Sequence, residues 1–558
     1  MTARLVRAPA NDGGLLVEPA PGAVAAQIEA NAQSLTGWDH DFQGKRAGLL
    51  RAQVRREVVT AARGFLTRHG LSGSSVDIDA LSGTARPLVV TGHQPELFHP
   101  GVWIKNFAVG AIAGVHRGVG LNLIVDHDIP KSSSIQVPVV DGGGVRLIRV
   151  EFDQSWGDVP FEDLAVQEEG LFSTFADRVR QAAGEAVAGS LLDDFWPRVL
   201  GRRGETRTAG LRFSLARREL EATWGVSNLE VPLSAVCQTD GFLWFVSHLL
   251  AQLPRYHQVH NSALFEYRAA HRIRSRNHPV AGLERQGEWL EAPFWVWRKG
   301  QPRRKGLLAR QRRRVMDLRI AGEDEVLVEL PLAADREACC AVERLRELAA
   351  RSIRLRTRAL TTTMFSRFLL GDLFIHGIGG AKYDELGDEI ARRYFGIEPP
   401  GFLTVSLTLW LDLPRDPETP GELNGIERRL RDLRFNPDRY LSEPYSEEIR
   451  SLIRRKEDAV SAPIGTRRER RARCLAIRAC NAALQPWVRE VYAHLLALRS
   501  RVRRRVRSDR AARNREFAYV LHGADRLKHR MVGAVQAAWP GAEPGSSGTI
   551  FRPPGEPT

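Results

Sequence analysis

The stretch VVTGHQPELFHPGVWIKN, Val89 to Asn106, decides how the chain is read. Leu88-Val89-Val90 is an apolar run short enough for a buried strand. It enters a turn holding Gly92, His93, Pro95, His99 and Gly101. Beyond Pro100, a residue tolerated in a first helical turn, Ile104, Phe107, Ala108, Ala111, Ile112 and Val115 fall on one helical face. A second apolar strand follows at Leu121–Val125. Strand, helix and strand at this spacing form a βαβ unit, which requires parallel strands and a right-handed crossover.

Working outward, the 558 residues are too many for one core and imply two to four domains. Further strands are expected at 145–152, 242–246, 326–330 and 404–411, with helices at 42–69, 174–189, 211–223 and 336–358. That alternation is an α/β pattern with insertions. It divides the chain into a flexible N-terminus (1–35), a helix with the first half of the core (36–159), an insertion (160–235), a core segment (236–261), a second, β-containing insertion (262–335) and the second half of the core (336–415). After Pro414 the texture becomes charged and helical. Segments 422–434, 446–460 and 466–512, with an apolar stripe through Leu475, Ala479, Ala482, Val488, Val491, Leu495 and Leu498, predict antiparallel long helices forming a coiled-coil arm over 416–540. Residues 541–558 have the composition of a disordered tail.

The formal net charge is +15. Such a balance attracts polyanions, though arginine spread along the whole chain is also what a GC-rich coding sequence produces. The five cysteines form no CxxC pair, and no HExxH or ribbon spacing is present, so neither a disulfide framework nor a structural zinc is indicated and no metal is expected. No apolar leader opens the chain and no run is long enough to span a bilayer, so a cytoplasmic protein without membrane contact is expected.

Three stretches carry residues suited to chemistry. In the opening turn, a helix N-terminus with free N–H groups favours a phosphate or carboxylate, and His93, His99 and Lys105 stand beside it. The alternative is a capped loop whose histidines are satisfied by hydrogen bonds. The second strand ends in Asp126-His127-Asp128, where two carboxylates flank an imidazole. That triplet suits acid–base work or binding of an amino group, and it also suits plain turn chemistry. The third stretch runs from Phe374 into His376-Gly377-Ile378-Gly379-Gly380-Ala381-Lys382-Tyr383. There glycines permit close approach of backbone to a ligand ahead of a helix, although such loops are often only tight turns. WLEAPFWVW (289–297) reads as a buried strand, or as one offering a Trp to a pocket edge, with a basic cluster at Arg303-Arg304-Lys305. Arg467–Arg473 and Arg501–Arg507 read as solvated helix faces.

As a set, Thr91-Gly92-His93-Gln94-Pro95-Glu96-Leu97, Val125-Asp126-His127-Asp128, and Gly379-Gly380 through Tyr383 with Pro399-Pro400 and the strand at 404–411 resemble the cysteine-adding enzymes of bacillithiol biosynthesis (BshC). The motifs occur in that family's order over residues 85–415. The resemblance implies a Rossmann-like parallel-sheet core of the HIGH-type nucleotidyltransferase kind, connective insertions, and a C-terminal helical coiled-coil domain that forms a homodimer. It implies a carbon–nitrogen ligase joining a cysteine-like amino acid to an amine-bearing small acceptor, with ATP or ADP at the site. His93, Asp126, His127 and Asp128 would be catalytic. Gly92, Gln94, His99, Lys105, His376, Gly377, Gly379, Gly380, Lys382 and Tyr383 would bind the nucleotide. The competing expectation is a non-catalytic polyanion or nucleic-acid binder on the same fold, weakened by the acids interleaved with its arginines. All of it requires the three stretches to meet along one rim of one parallel sheet.

Overall fold

The computed structural model describes residues 6–74, 86–142, 144–275, 277–301, 303–415, 419–463, 465–541 and 550–551. Two compact units result. The first comprises residues 1–137, 149–410 and 515–558, and the second residues 138–148 and 411–514.

The first unit is built on a six-stranded sheet. In chain order its strands are β1 (Leu15–Glu18), β2 (Leu88–His93), β3 (Val119–Ile124), β6 (Leu229–Pro232), β12 (Leu373–His376) and β13 (Phe402–Leu407). The intervening labels belong to a hairpin, β4 (Ser134–Asp141) and β5 (Gly144–Glu151), and to a second sheet. In space the order is β1-β13-β12-β2-β3-β6. All pairs are parallel except β1 against β13. β3 and β12 are buried at every position, which explains their unbroken apolar runs: helices cover both faces of a parallel sheet, so no polar alternation survives. Successive strands leave β2 first toward β3 and β6, then on its other side toward β12 and β13. The direction therefore reverses between β2 and β12, and the carboxyl ends of those two strands flank an uncovered crevice. The helix Pro100–Val115, which joins β2 to β3, packs on this sheet.

The second sheet is antiparallel, in the order β10-β9-β8-β7-β11: β7 (Trp289–Arg298), β8 (Lys305–Arg312), β9 (Val315–Ile320), β10 (Val328–Leu330) and β11 (Ile353–Thr357). One continuous apolar core joins both sheets to their helices.

Asp372 fastens the two central strands at their amino ends. Its Oδ2 accepts the Leu88 N–H at 2.6 Å, and its own N–H donates to the Leu88 carbonyl at 2.8 Å. Its Oδ1 accepts from Arg51 at 2.6 Å and Arg55 at 2.9 Å, both on the helix Ala47–Arg68. Burial pushes this carboxyl up, but Arg55 and Arg51 outweigh it and hold it below the usual range.

In the second unit the helix Thr419–Phe435 packs on Arg489–Ala512, and Glu447–Ser461 on Arg467–Leu484. Ile426, Leu430, Leu433, Val488, Leu495 and Val502 form its core. No helix among the described residues is long and apolar enough to cross a membrane.

Several local expectations differ from the structure. Residues 242–246 lie in the helix Asp240–Ala251, not a strand. The Thr239 side chain caps that helix by accepting the Phe242 N–H, and burial on nearly all sides erases the polar face that would have revealed the period. The expected helix 336–358 stops at Ala350. Ser352 then takes a left-handed φ of 59°, and β11 follows. Residues 1–35, expected to be flexible, contain the edge strand β1 and the helix Val24–Thr36, anchored where Asn31 donates to the Asp372 carbonyl. The expected insertion 160–235 ends in β6, a strand of the main sheet. Residues 515–540, expected in the helical arm, belong to the first unit, because Tyr519 is buried against Phe98 and Trp103. Most of the expected tail, 541–558, lies outside the described residues. Ile550–Phe551 pairs with Gly73–Ser74.

Replacing Asp372 by alanine strands the buried Arg55 guanidinium and the Leu88 N–H, and leaves Arg51 only backbone carbonyls. The expected loss is about 3–5 kcal/mol, read as a lowered urea midpoint. A depressed folded pKa contributes stability that is complete above about pH 4 and is lost as pH falls through the folded value. The gap between wild type and Asp372→Ala should therefore close in acid. A gap that does not change with pH would show that the carboxylate is not the source.

Candidate active site

A cavity of about 400 Å³ opens at the carboxyl ends of β2, β3 and β12. Its walls include Gly92-His93-Gln94, His127-Asp128, Leu233, His260, Pro293 and Trp295 of β7 with Arg304, the segment 357–363, and His376 with Gly380. The three stretches singled out in the sequence thus reach one cavity, and both sheets contribute to it.

His93 is positioned by a buried network. Glu221 Oε1 accepts from Trp103 at 2.6 Å, from Asn106 Nδ2 at 2.7 Å and from Arg217 at 2.8 Å. With its amino group committed to Glu221, Asn106 turns Oδ1 toward His93 Nε2 at 3.1 Å, an acceptor like the carbonyl at the other nitrogen, so the neutral ring donates to one of the two. The other ring nitrogen faces the Gln94 carbonyl at 3.1 Å. Burial, then the charges of Lys105 and Arg217, keep the ring neutral by holding its pKa well below the ordinary value. His93 lines the cavity, but both its nitrogens are directed at protein groups. A donating role toward a ligand does not fit this geometry.

The second triplet is split. Asp126 does not line this cavity; both its oxygens are taken by Ser234, one by its N–H at 2.9 Å and one by its hydroxyl. Burial and then Glu162 push its carboxyl up to about 7. Asp128 does line the cavity. It accepts from Gln94 at 2.9 Å and pairs with Arg304 at 2.9 Å. Burial raises its pKa, but the Gln94 bond and Arg304 outweigh that and leave it ionised. His127 lies between them, 3% exposed, with no hydrogen-bond partner at Nδ1. Burial holds its pKa at about 3. Arg304 also donates to the His127 carbonyl at 2.8 Å. Its guanidinium and that of Arg358 lie 5.1 Å and 4.2 Å from the Trp295 ring centre.

The third stretch is a helix start, not a loop. The helix spans Ile378–Phe395 with Gly377 as its N-cap, and no side chain satisfies its first amides. His376, at the end of β12, shares a hydrogen of Nε2 with Asp384 at 2.8 Å. Asp384 also accepts from Arg367 at 2.5 Å and from Thr363 at 2.8 Å. Burial pushes the Asp384 carboxyl up, but Arg367 and then His376 keep it ionised and well below the usual range. His376 therefore has its proton on Nε2, and Nδ1 is left beside Gly380. A Cβ at Gly380 would lie 2.7 Å from that nitrogen, so the glycine is required by the imidazole. Lys105 comes near from the helix Pro100–Val115, buried, with Nζ on the Gly92 carbonyl at 2.8 Å. Burial alone pushes its ammonium down to about 7, and no carboxylate among the described residues offsets it.

Of the remaining expected residues, His99 is a cap: Nδ1 accepts the Gly101 N–H at 3.1 Å and Nε2 faces Glu516 at 3.4 Å, outside the cavity. Lys382 and Tyr383 are exposed on the helix and do not line it, and neither do Lys105, Gly377 and Gly379. Four contributors escaped the sequence reading. His260, neither of whose ring nitrogens meets hydrogen-bond geometry with a protein group, Arg358 and the threonines 361–363 line the cavity, and Asp384 reaches it through His376. Asp384, eight residues beyond His376 on the adjoining helix, was the one with a local signal. Among the described residues no group of three or more His, Cys, Asp or Glu could hold a metal ion. Compared with known proteins, the chain matches no family model and no curated protein.

His127 and His260, held by burial at about 3 and about 4, should stay neutral from pH 8 down to pH 5. Each depressed imidazole makes folding less favourable as pH falls below about 6.5, by up to about 1.4 kcal/mol per pH unit, because the unfolded chain takes up the proton first. Ring carbon NMR of histidine-labelled protein checks this. Titration of either ring near pH 6.5 would contradict its burial.

Proposed function

We propose that this cavity is the active site of a carbon–nitrogen ligase that joins a cysteine-like amino acid to an amine-bearing small acceptor, on a Rossmann-like core akin to that of the bacillithiol cysteine-adding enzymes. One observation carries the proposal. An uncapped helix N-terminus that reaches the cavity at Gly380, and a buried lysine held behind its wall on the Gly92 carbonyl, come together where the strand order reverses. Positive charge prepared in a low-dielectric crevice favours the phosphates of a nucleotide or a carboxylate acquiring charge. The Gly380 end of this helix start, with the Lys105 charge behind the Gly92 carbonyl, would face the phosphates of ATP or ADP. A bound nucleoside triphosphate would supply activation of the carboxylate.

The chain's own groups cover the remaining needs. His376 Nδ1, with Nε2–H held by Asp384, accepts the proton that the attacking amine loses. Asp128, ionised and fixed by Gln94 and Arg304, attracts an ammonium group and orients it. The Trp295 face and the threonine-bearing segment 361–363 bound the rest of the substrate.

Incubation with ATP, cysteine and glucosaminyl malate should yield a product with the mass of the two substrates less one water. His376→Ala should slow its formation by about 10²–10⁴-fold. Nucleotide binding near pH 8 should take up protons, because an anion restores the charge of Lys105; calorimetry in buffers of different ionisation heat measures this, and Lys105→Met should abolish it. Absence of both amide product and nucleotide binding would reject the ligase.

A second reading, polyanion binding, rests on the second unit. Between residues 467 and 513 stand fifteen arginines against three carboxylates, and Arg467, Arg468, Arg470, Arg471 and Arg478 are exposed on one helix. If these bind nucleic acid, affinity for a fluorescent oligonucleotide should fall linearly on a log–log salt plot, with a slope of about −0.7 per phosphate contacted on a single strand. A flat plot would dismiss the reading.

A further inference from the structure

A second cavity, of about 440 Å³, shares its wall with the first. Three adjacent pairs divide between them. Gln94, His127 and Leu233 line the first cavity, while Pro95, Asp126 and Ser234 line the second. The second cavity is therefore formed by the same strand ends, seen from the other side of the Asp126–Asp128 turn.

Its polar groups are unequally satisfied. Glu162 is fully committed, with both oxygens on Arg356 at 2.8 and 2.7 Å. Arg354, on β11, is not. Its closest carboxylates are Glu162 at 3.5 Å and Asp163 at 3.7 Å, and its buried Nε has no hydrogen-bond partner. Two carboxylates at ion-pair distance meet its charge, and its five donors keep capacity for a further acceptor in the cavity. Asp126 stands nearby, since its carbonyl takes the Glu162 N–H at 2.7 Å. Each of its oxygens keeps lone-pair capacity beyond Ser234. Phe65, Phe161, Ile124 and Leu211 supply an apolar surface. Cation, carboxyl and apolar wall side by side match the three parts of one small molecule.

We propose that the second cavity binds an α-amino or α-hydroxy acid with an apolar side chain, its carboxylate on Arg354 and its amino or hydroxyl group donating to Asp126. The side chain lies against Phe65, Phe161 and Leu211. This site stands apart from the ligase proposal, since none of its residues is given a role in the first cavity.

Calorimetric titration of the full chain tests it with three probes: L-leucine, L-2-hydroxyisocaproate, and 3-methylbutylamine, which lacks the carboxylate. The two acids should bind and the amine should not. Arg354→Gln should weaken the acids by about ten-fold or more, whereas His376→Ala in the first cavity should leave them unchanged. Leu211→Trp, which fills the second cavity, should give the same loss as Arg354→Gln and serves in its place if that variant does not fold. The proposal is overturned if neither acid binds at millimolar concentration, if the amine binds as well as the acids, if both second-cavity variants bind normally, or if His376→Ala abolishes binding, which would move the acid to the first cavity.

Discussion

The reciprocal tie between Asp372 and Leu88 is the constraint on which the rest depends. It sets β12 beside β2 in one register and bolts both to the helix Ala47–Arg68 through Arg51 and Arg55. At the far ends of the same two strands lie His93 and His376. The connections that follow these strands leave in opposite directions, so no crossover covers the gap between them. A buried ion pair whose formation costs desolvation is thus placed at the closed end of the strands, and the open end is left for a ligand.

The electrostatics of the two ends differ in kind. At the closed end every buried charge is matched, and the Glu221 cluster behind His93 is matched as well, with three donors on one oxygen. At the open end the balance tips. The imidazoles are kept neutral by burial, Lys105 among the described residues donates to the Gly92 carbonyl with no carboxylate to offset its charge, and the amides of the helix Ile378–Phe395 carry no side-chain cap. Buried polar groups left in this state are costly in a folded protein and gather where something else is to complete them. The orphaned nitrogens of His127 and His260 belong to the same pattern.

Packing supplies the shape. Trp295 is flanked by Arg304 and Arg358, and these arginines are held in turn by Asp128 and Glu291. The antiparallel sheet is therefore part of the site and not an appendage. Gly380 is small so that His376 can keep its orientation, which links a glycine-rich signature to the tautomer of one ring.

Much was legible from local pattern alone. The strand–helix–strand unit around Val89–Asn106 was readable because its apolar periods and its proline act over a few residues, and the meeting of three distant motifs followed from the rule that parallel strands end on one edge. Which side of the wall a residue faces was not legible. Asp126 and His127 are neighbours in the chain, yet they look into different cavities, because the chain turns immediately after the strand and Ser234 holds the Asp126 carboxyl on the far side. His93 and His99 looked alike in the sequence, and only the positions of Asn106 and Glu516 made one a buried network member and the other a cap. Residues 242–246, inside the helix Asp240–Ala251, read as a strand because burial removes the periodicity that distinguishes the two. The amino-acid order by itself determined the elements whose forces are local. Tertiary structure decided the charges, tautomers and facing of the site, since these depend on how groups such as Glu221, Arg304 and Arg367 are brought beside residues that the chain order leaves apart.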